Sequence, residues 1–275
     1  VTASETPFGT PLASASSVSS RMSVIDHVLR SDLVDAPERA AAADPERVAR
    51  AARRRRRWSH DASLAAVALG AVGGFLVLAR MVSRPTPLPF DRGVVRLMGR
   101  ARHPVSNAVV RGLTFFGSVP GAGGLAAAAI VLVRHRPRLA SQIAVGALGG
   151  ITAELGIKRF FRRQRPTLLR HLEAVTSTSF PSGHATASAS IYLSMAFVAS
   201  RSRRLREHRG ALLGAAALAA SAVGASRVYL GVHWPTDVLS GLALGTAWAC
   251  AAEAIYDVTG ADRMERECAA GTAPL

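Results

Sequence analysis

Lysine is almost missing from this chain. Of its 34 basic residues only Lys158 is a lysine, and against 18 acidic residues they leave a formal net charge of +16. Cysteine is as scarce: Cys250 falls inside an apolar block and Cys268 lies in the tail. Two such residues offer no disulfide framework and no Cys-x-x-Cys pair, so they point to neither a metal nor a redox compartment. Aromatic residues are only 5% of a chain that is 49% hydrophobic, so small and aliphatic side chains carry its apolar character. No cluster of Asp, Glu and His shows metal-ligand spacing. Neither a metal nor a cofactor is expected.

What the chain does have is apolar sequence gathered into blocks instead of alternating with polar residues, the pattern of a membrane protein. Six blocks are long or apolar enough to read as spans: 62–82, 113–133, 139–157, 183–200, 211–225 and 235–256. Backbone exposed to lipid must satisfy its own hydrogen bonds, so the expected fold is all-α, a six-span transmembrane helical bundle over residues 58–260. Gly146, Gly149, Gly150 and Gly156 in the third block would let helices approach closely. Residues 91–112 mix apolar positions with five arginines and read as an amphipathic helix lying at the interface.

The tails differ from this core. Residues 1–57 read as an N-terminal cytoplasmic tail, disordered to about residue 34 and free of a secretory-signal pattern. Two short helices follow, signalled by Asp35-Ala36-Pro37-Glu38 and Asp44-Pro45-Glu46. Residues 261–275 form a C-terminal tail. The arginines lie in short runs between apolar blocks, which suits an anionic membrane face and not nucleic acid. Five consecutive arginines, 53–57, place the N-terminus in the cytoplasm by the positive-inside rule. With six spans the C-terminus is cytoplasmic too, and the segments 83–112, 158–182 and 226–235 share the outer face of the plasma membrane. Glu253 and Asp257, near the inner end of the sixth block, read as solvated.

Those outer segments hold the chemistry. Pro181-Ser182-Gly183-His184 precedes an apolar run and reads as a helix start. Unpaired N–H groups and the helix dipole there favour an anion, phosphate in particular, although Ser182 could simply cap the helix. Lys158 and Arg165 end the third block, and Arg227, His233 and Asp237 lie between the fifth and sixth. Interfacial anchoring is the plainer role for Lys158 and Arg165. A transferring phosphoryl group instead needs positioned cations and N–H donors, which Lys158, Arg165, Arg227, Ser182 and Gly183 can supply. Glu154, one turn before Lys158, could pair with it.

The ordered blocks Lys158-x6-Arg165-Pro166, Pro181-Ser182-Gly183-His184 and Ser226-Arg227-x5-His233-x3-Asp237 resemble the three-part signature of the type 2 phosphatidic acid phosphatase superfamily, with no position substituted. The resemblance covers about residues 60–257. It implies an integral membrane lipid phosphatase that hydrolyses a phosphomonoester or pyrophosphate of a lipid, without a metal. His233 would be the nucleophile that forms a phosphohistidine, Asp237 would hold its ring, and His184 would act as general acid and then base. Lys158, Arg165, Ser182, Gly183 and Arg227 would bind the phosphate. Its partners would be a lipid phosphate or polyprenyl (pyro)phosphate and the bilayer; nothing in the sequence indicates a protein partner. A phosphotransferase using the same intermediate, and a non-catalytic transporter or binding protein for anionic lipids, remain open alternatives.

Overall fold

The computed structural model describes residues 45–84 and 86–269, with side-chain surroundings for 61–84 and 86–260. Contacts divide the chain into residues 1–60 and 61–275, and the fold and the site lie in the second unit. The expected disordered segment and the first short helix fall outside the described residues.

Described secondary structure is helical throughout: α1 (Pro45–Val82), α2 (Pro89–Arg100), α3 (Pro104–Phe115), α4 (Val119–Leu132), α5 (Pro137–Lys158), α6 (Gly183–Ala199), α7 (Arg209–Tyr229) and α8 (Pro235–Ala269). Five of these begin with proline, whose missing N–H costs nothing in a first turn. Two boundaries differ from expectation. The short helix expected before the arginine run and the first span are one continuous helix, α1. The last helix likewise runs past residue 256 to Ala269.

Among the described residues, four helical segments are long and apolar enough to cross a membrane: Asp61–Val82, Pro137–Lys158, Arg206–Tyr229 and Pro235–Gly260. The expected second span is broken. α3 and α4 meet at a 47° bend, and together they make a fifth candidate. The break has a local cause: Ser118 accepts from the Gly121 N–H and Pro120 enters the first turn of α4, so a new helix starts there. The segment expected as the fourth span forms α6, only 17 residues long.

α6 is the hub, packing against α8, α7 and α5. Its alternating Ala and Ser residues present little bulk, and glycines approach it from two sides. Cβ atoms at Gly146 or Gly150 of α5 would strike Ser194 and Ser190, and one at Gly245 of α8 would strike the Thr186 carbonyl. Small residues at such contacts bring helix axes together where lipid offers no hydrophobic drive. Gly156, by contrast, meets nothing.

Away from the motif end, Glu253 is fully buried, not solvated. It accepts from Gln142 Nε2 at 2.5 Å, Arg201 at 2.8 Å and Arg209 at 3.2 Å, tying α5 and α7 to α8. A sequence shows Glu253 on a helix end, but not the arginines from other segments that neutralise it.

Candidate active site

The three motif blocks meet at one end of the bundle. Lys158 closes α5, Ser182 is the N-cap of α6, Arg227 lies in the last turn of α7 and Asp237 in the first turn of α8. His233 stands in the short turn between α7 and α8. That turn needs Gly231, whose φ of +79° is left-handed, and whose Cβ would lie 2.7 Å from Arg102 Nη2. Arg102 pins the turn from outside, donating to the Tyr229 carbonyl at 2.8 and 3.1 Å and to the Arg170 carbonyl at 2.7 Å. Arg165 pins it from the other direction through the Val232 carbonyl at 2.6 Å.

His233 is 3% exposed. Arg165 Nη1 lies 3.2 Å from its Nε2, and a guanidinium can only donate, so the hydrogen-bond network assigns the Nε2 lone pair as acceptor. The proton of the neutral ring then sits on Nδ1, which lies 3.6 Å from Asp237 Oδ2 and has no hydrogen-bond partner. That distance is an electrostatic contact, longer than a hydrogen bond. Burial pushes the His233 pKa down to about 4; Arg165 and Arg227 add to the fall and Asp237 opposes it. The ring is therefore neutral at physiological pH, with its Nε2 lone pair turned to Arg165.

Behind His233 stands a layer the motifs did not reveal. Asp237, fully buried, accepts from Arg163 Nη1 at 2.5 Å, Ser179 Oγ at 2.5 Å and the Trp234 N–H at 2.9 Å. Arg163 reaches with its other nitrogen to Asp91 Oδ2 at 2.7 Å. Asp91 in turn accepts from the Thr236 N–H at 3.0 Å and its hydroxyl at 2.8 Å. Asp91 belongs to the segment expected as an interfacial helix, where an acid in the first turn of α2 reads only as a dipole partner. Nothing local signals that it seats Arg163.

In front of His233 the arrangement is less complete. Ser182 is fully buried, yet its hydroxyl has no partner and does not cap α6. Gly183 is approached so closely by Glu154 that a Cβ would lie 2.8 Å from Oε1. Glu154 also pairs with Lys158 at 2.6 Å, the contact expected one turn apart. Arg227, only 2% exposed, donates to Thr114 Oγ1 at 2.8 Å and grips Glu173 through two bonds of 2.5 and 3.1 Å, leaving its Nε unpartnered. Burial works against the Glu173 charge, but the Arg227 hydrogen bond and charge outweigh it and hold the carboxyl below its ordinary pKa. His184 packs against Gly117 at the α3–α4 break, within electrostatic reach of Arg227, Glu173, His233 and Lys158. Among the described residues, no three His, Cys, Asp or Glu side chains are grouped to hold a metal ion.

All eight residues singled out by sequence thus lie at this end of the bundle, and Asp91, Arg163, Glu173, Ser179, Thr236 and Thr114 join them. Chemically, the end offers a neutral imidazole, a second histidine, the four cations Lys158, Arg163, Arg165 and Arg227, and buried polar atoms with unmet hydrogen-bonding capacity.

The chain is similar to known proteins. The sequence profile of the PAP2 superfamily matches residues 138–259, which hold all three blocks. Phosphatidylglycerophosphatase B of Bacillus subtilis is 30% identical over 190 residues, 62% of this chain and 85% of that protein. Decaprenylphosphoryl-5-phosphoribose phosphatase of Mycobacterium tuberculosis is 31% identical over 161 residues, 57% of this chain and 82% of the relative. The crystal structure of a transmembrane PAP2-type phosphatidylglycerolphosphate phosphatase from Bacillus subtilis superposes with a TM-score of 0.64 at 26% identity, covering 69% of this chain and 96% of that one. With relatives aligned over most of their own length and a bundle of the same shape beneath the three blocks, this chain belongs to the PAP2 superfamily.

Proposed function

We propose that this protein is an integral membrane phosphatase that hydrolyses a phosphomonoester or pyrophosphate of a lipid through a phosphohistidine on His233. The observation that carries the reading is the His233 ring itself: buried and neutral, with Nδ1 turned to Asp237 and the Nε2 lone pair beside Arg165. The named activities of the relatives support the substrate class.

In this reading the substrate phosphate enters in front of His233 and displaces Glu173 from Arg227, exchanging one bidentate oxyanion for another. Its oxygens are held by Lys158, Arg165, Arg227, the Ser182 hydroxyl and the Gly183 N–H. Nε2 of His233 forms a bond to phosphorus as the bond to the lipid oxygen breaks, and His184, which takes up a proton when the phosphate dianion enters beside it, gives that proton to the leaving oxygen. Asp237 stabilises the positive charge that develops on the His233 ring. Neutral His184 then takes a proton from water, whose oxygen bonds to phosphorus as the P–N bond breaks, releasing phosphate and restoring both histidines. The cations carry the charge compensation a metal would otherwise supply, so turnover proceeds without one.

Residues 58–260 form the membrane domain, with the bent α3–α4 pair and the short α6 as crossings alongside the four long helices. The site then opens at the outer face of the plasma membrane, with residues 1–57 and 261–275 in the cytoplasm. Labelling of single cysteines placed in the 159–182 loop and near Arg204 tests this: external label must reach the first and not the second.

The functional test is phosphate release by purified protein in a chelator, from a panel that includes phosphatidylglycerophosphate, phosphatidic acid and polyprenyl phosphates and pyrophosphates. Retained turnover in both His184→Ala and His233→Ala removes the mechanism. Transfer of phosphate to an added alcohol in preference to water identifies a phosphotransferase. Lipid binding without turnover identifies a transporter or binding protein.

A further inference from the structure

Arg165, which touches His233, also lines a concave site with a volume of about 680 Å³. Arg84, Arg92, Arg162, Arg163 and Arg165 line it, and among the described residues no acidic side chain does. Arg163 and Arg165 form its inner wall and are engaged with Asp91, Asp237 and backbone carbonyls. Arg84, Arg92 and Arg162 are exposed and, within the described residues, make no ion pair or side-chain hydrogen bond. Arg84, Arg92 and Arg162 thus bring positive charge to one hollow without a carboxylate partner among the described residues, and an anion seated there would lower their mutual repulsion. The reaction proposed above uses Arg165 from the inner wall and none of Arg84, Arg92 and Arg162.

The cavity's position says which anion. Val82, the last residue of the apolar α1, lines it, and so does Phe160 just beyond α5. Phe160 is 85% exposed, while Leu76 and Val77 on α1 and Leu155 on α5 are 59%, 60% and 54% exposed. Exposed aliphatic surface running up to an aromatic and arginine rim is the profile of a membrane boundary. A free anion could meet the arginines only; a lipid meets both surfaces.

We propose that this cavity binds the phosphodiester headgroup of an anionic phospholipid, with its acyl chains against α1 and α5, as a site separate from the phosphate site at His233. The assignment rests on the membrane reading above but not on catalysis. It is tested by native mass spectrometry of protein released from phosphatidylcholine nanodiscs containing phosphatidylglycerol. The wild-type protein keeps a bound phosphatidylglycerol, and the triple variant Arg84→Gln, Arg92→Gln, Arg162→Gln loses it. Both hydrolyse a water-soluble aryl phosphate at the same rate, which also shows that the variant is folded. His233→Ala abolishes turnover and keeps the lipid, so a failure of the catalytic reading leaves this one standing. Equal lipid retention by wild type and triple variant overturns the proposal, as does equal retention of phosphatidylcholine. Loss of aryl phosphate turnover in the triple variant overturns it by placing these arginines in the reaction. Displacement of the lipid by equimolar inorganic phosphate assigns the cavity to a free anion instead.

Discussion

Two layers of polar residues meet at His233, and they are built differently. Behind it, Asp91, Arg163, Asp237, Ser179 and Thr236 satisfy one another, and both nitrogens of the Arg163 fork rest on carboxylates. In front, Ser182 Oγ, Arg227 Nε and His233 Nδ1 are buried without partners, and Arg227 is held by Glu173, whose side chain is 35% exposed. A buried polar atom left unpaired costs about 1–3 kcal/mol, so unmet capacity gathered at one place marks where a ligand belongs. The rear layer fixes geometry; the front layer waits for charge.

The sharpest break in that contrast comes from His233→Ala. It removes the proposed nucleophile, and kcat/KM for a lipid phosphate falls by about 10⁴-fold or more, with no acid-labile phosphoenzyme after rapid quench. The fold persists, since no ion pair of the rear layer depends on the ring.

Arg163→Met should act on both fronts. It strands two fully buried carboxylates, and breaking a buried pair from one side costs about 3–5 kcal/mol. Thermal unfolding in detergent should show a large drop in Tm, with loss of turnover accompanying it. An unchanged Tm would mean that Asp91 and Asp237 are not held as described.

Asp237→Asn separates positioning from chemistry. It keeps the shape but removes the negative charge beside His233, and losses of about 10- to 100-fold are typical for such partners of a reacting group. The pH profile supplies a second readout. Protonation of His233 at Nε2 removes the nucleophile, so kcat/KM falls as pH drops through its pKa, near pH 4 and below the ordinary histidine value. Because Asp237 raises that pKa, the variant's acid limb moves lower still.

Glu173→Gln has the smallest effect and the opposite sign. Removing the displaceable carboxylate from Arg227 should lower KM, and the Ki of inorganic phosphate, by about two- to fivefold, the worth of a partly exposed ion pair of about 0.4–1 kcal/mol. Steady-state inhibition by phosphate measures it. A rise in KM would make Glu173 part of the substrate site instead of its competitor.

Much of the front layer was legible without a structure, because ordered motifs, helix-start signals and residue chemistry are local properties. Lys158, Arg165, Ser182, His184, Arg227 and His233 each announce themselves by type and spacing, and Glu154 pairs with Lys158 at one helical turn. Of the rear layer only Asp237 did so. Asp91 joins Arg163 across 72 residues and Thr236 across 145, and no periodicity reports a contact between separate segments. Glu173 sits in a loop with no motif around it, and its partnership with Arg227 spans 54 residues. Glu253 read as solvated for the same reason.

The sequence by itself determined the helical class of fold, the apolar blocks and the motif residues that gather at one end of the bundle, since hydropathy and side-chain chemistry travel with the chain. Only the tertiary structure decided that the break between α3 and α4 lies against His184, that Asp91 braces Asp237 through Arg163, and that a carboxylate rests on Arg227. Each of these depends on which distant segments share a volume. That is settled by packing around α6, where small residues let the helices close and bring their charged ends together.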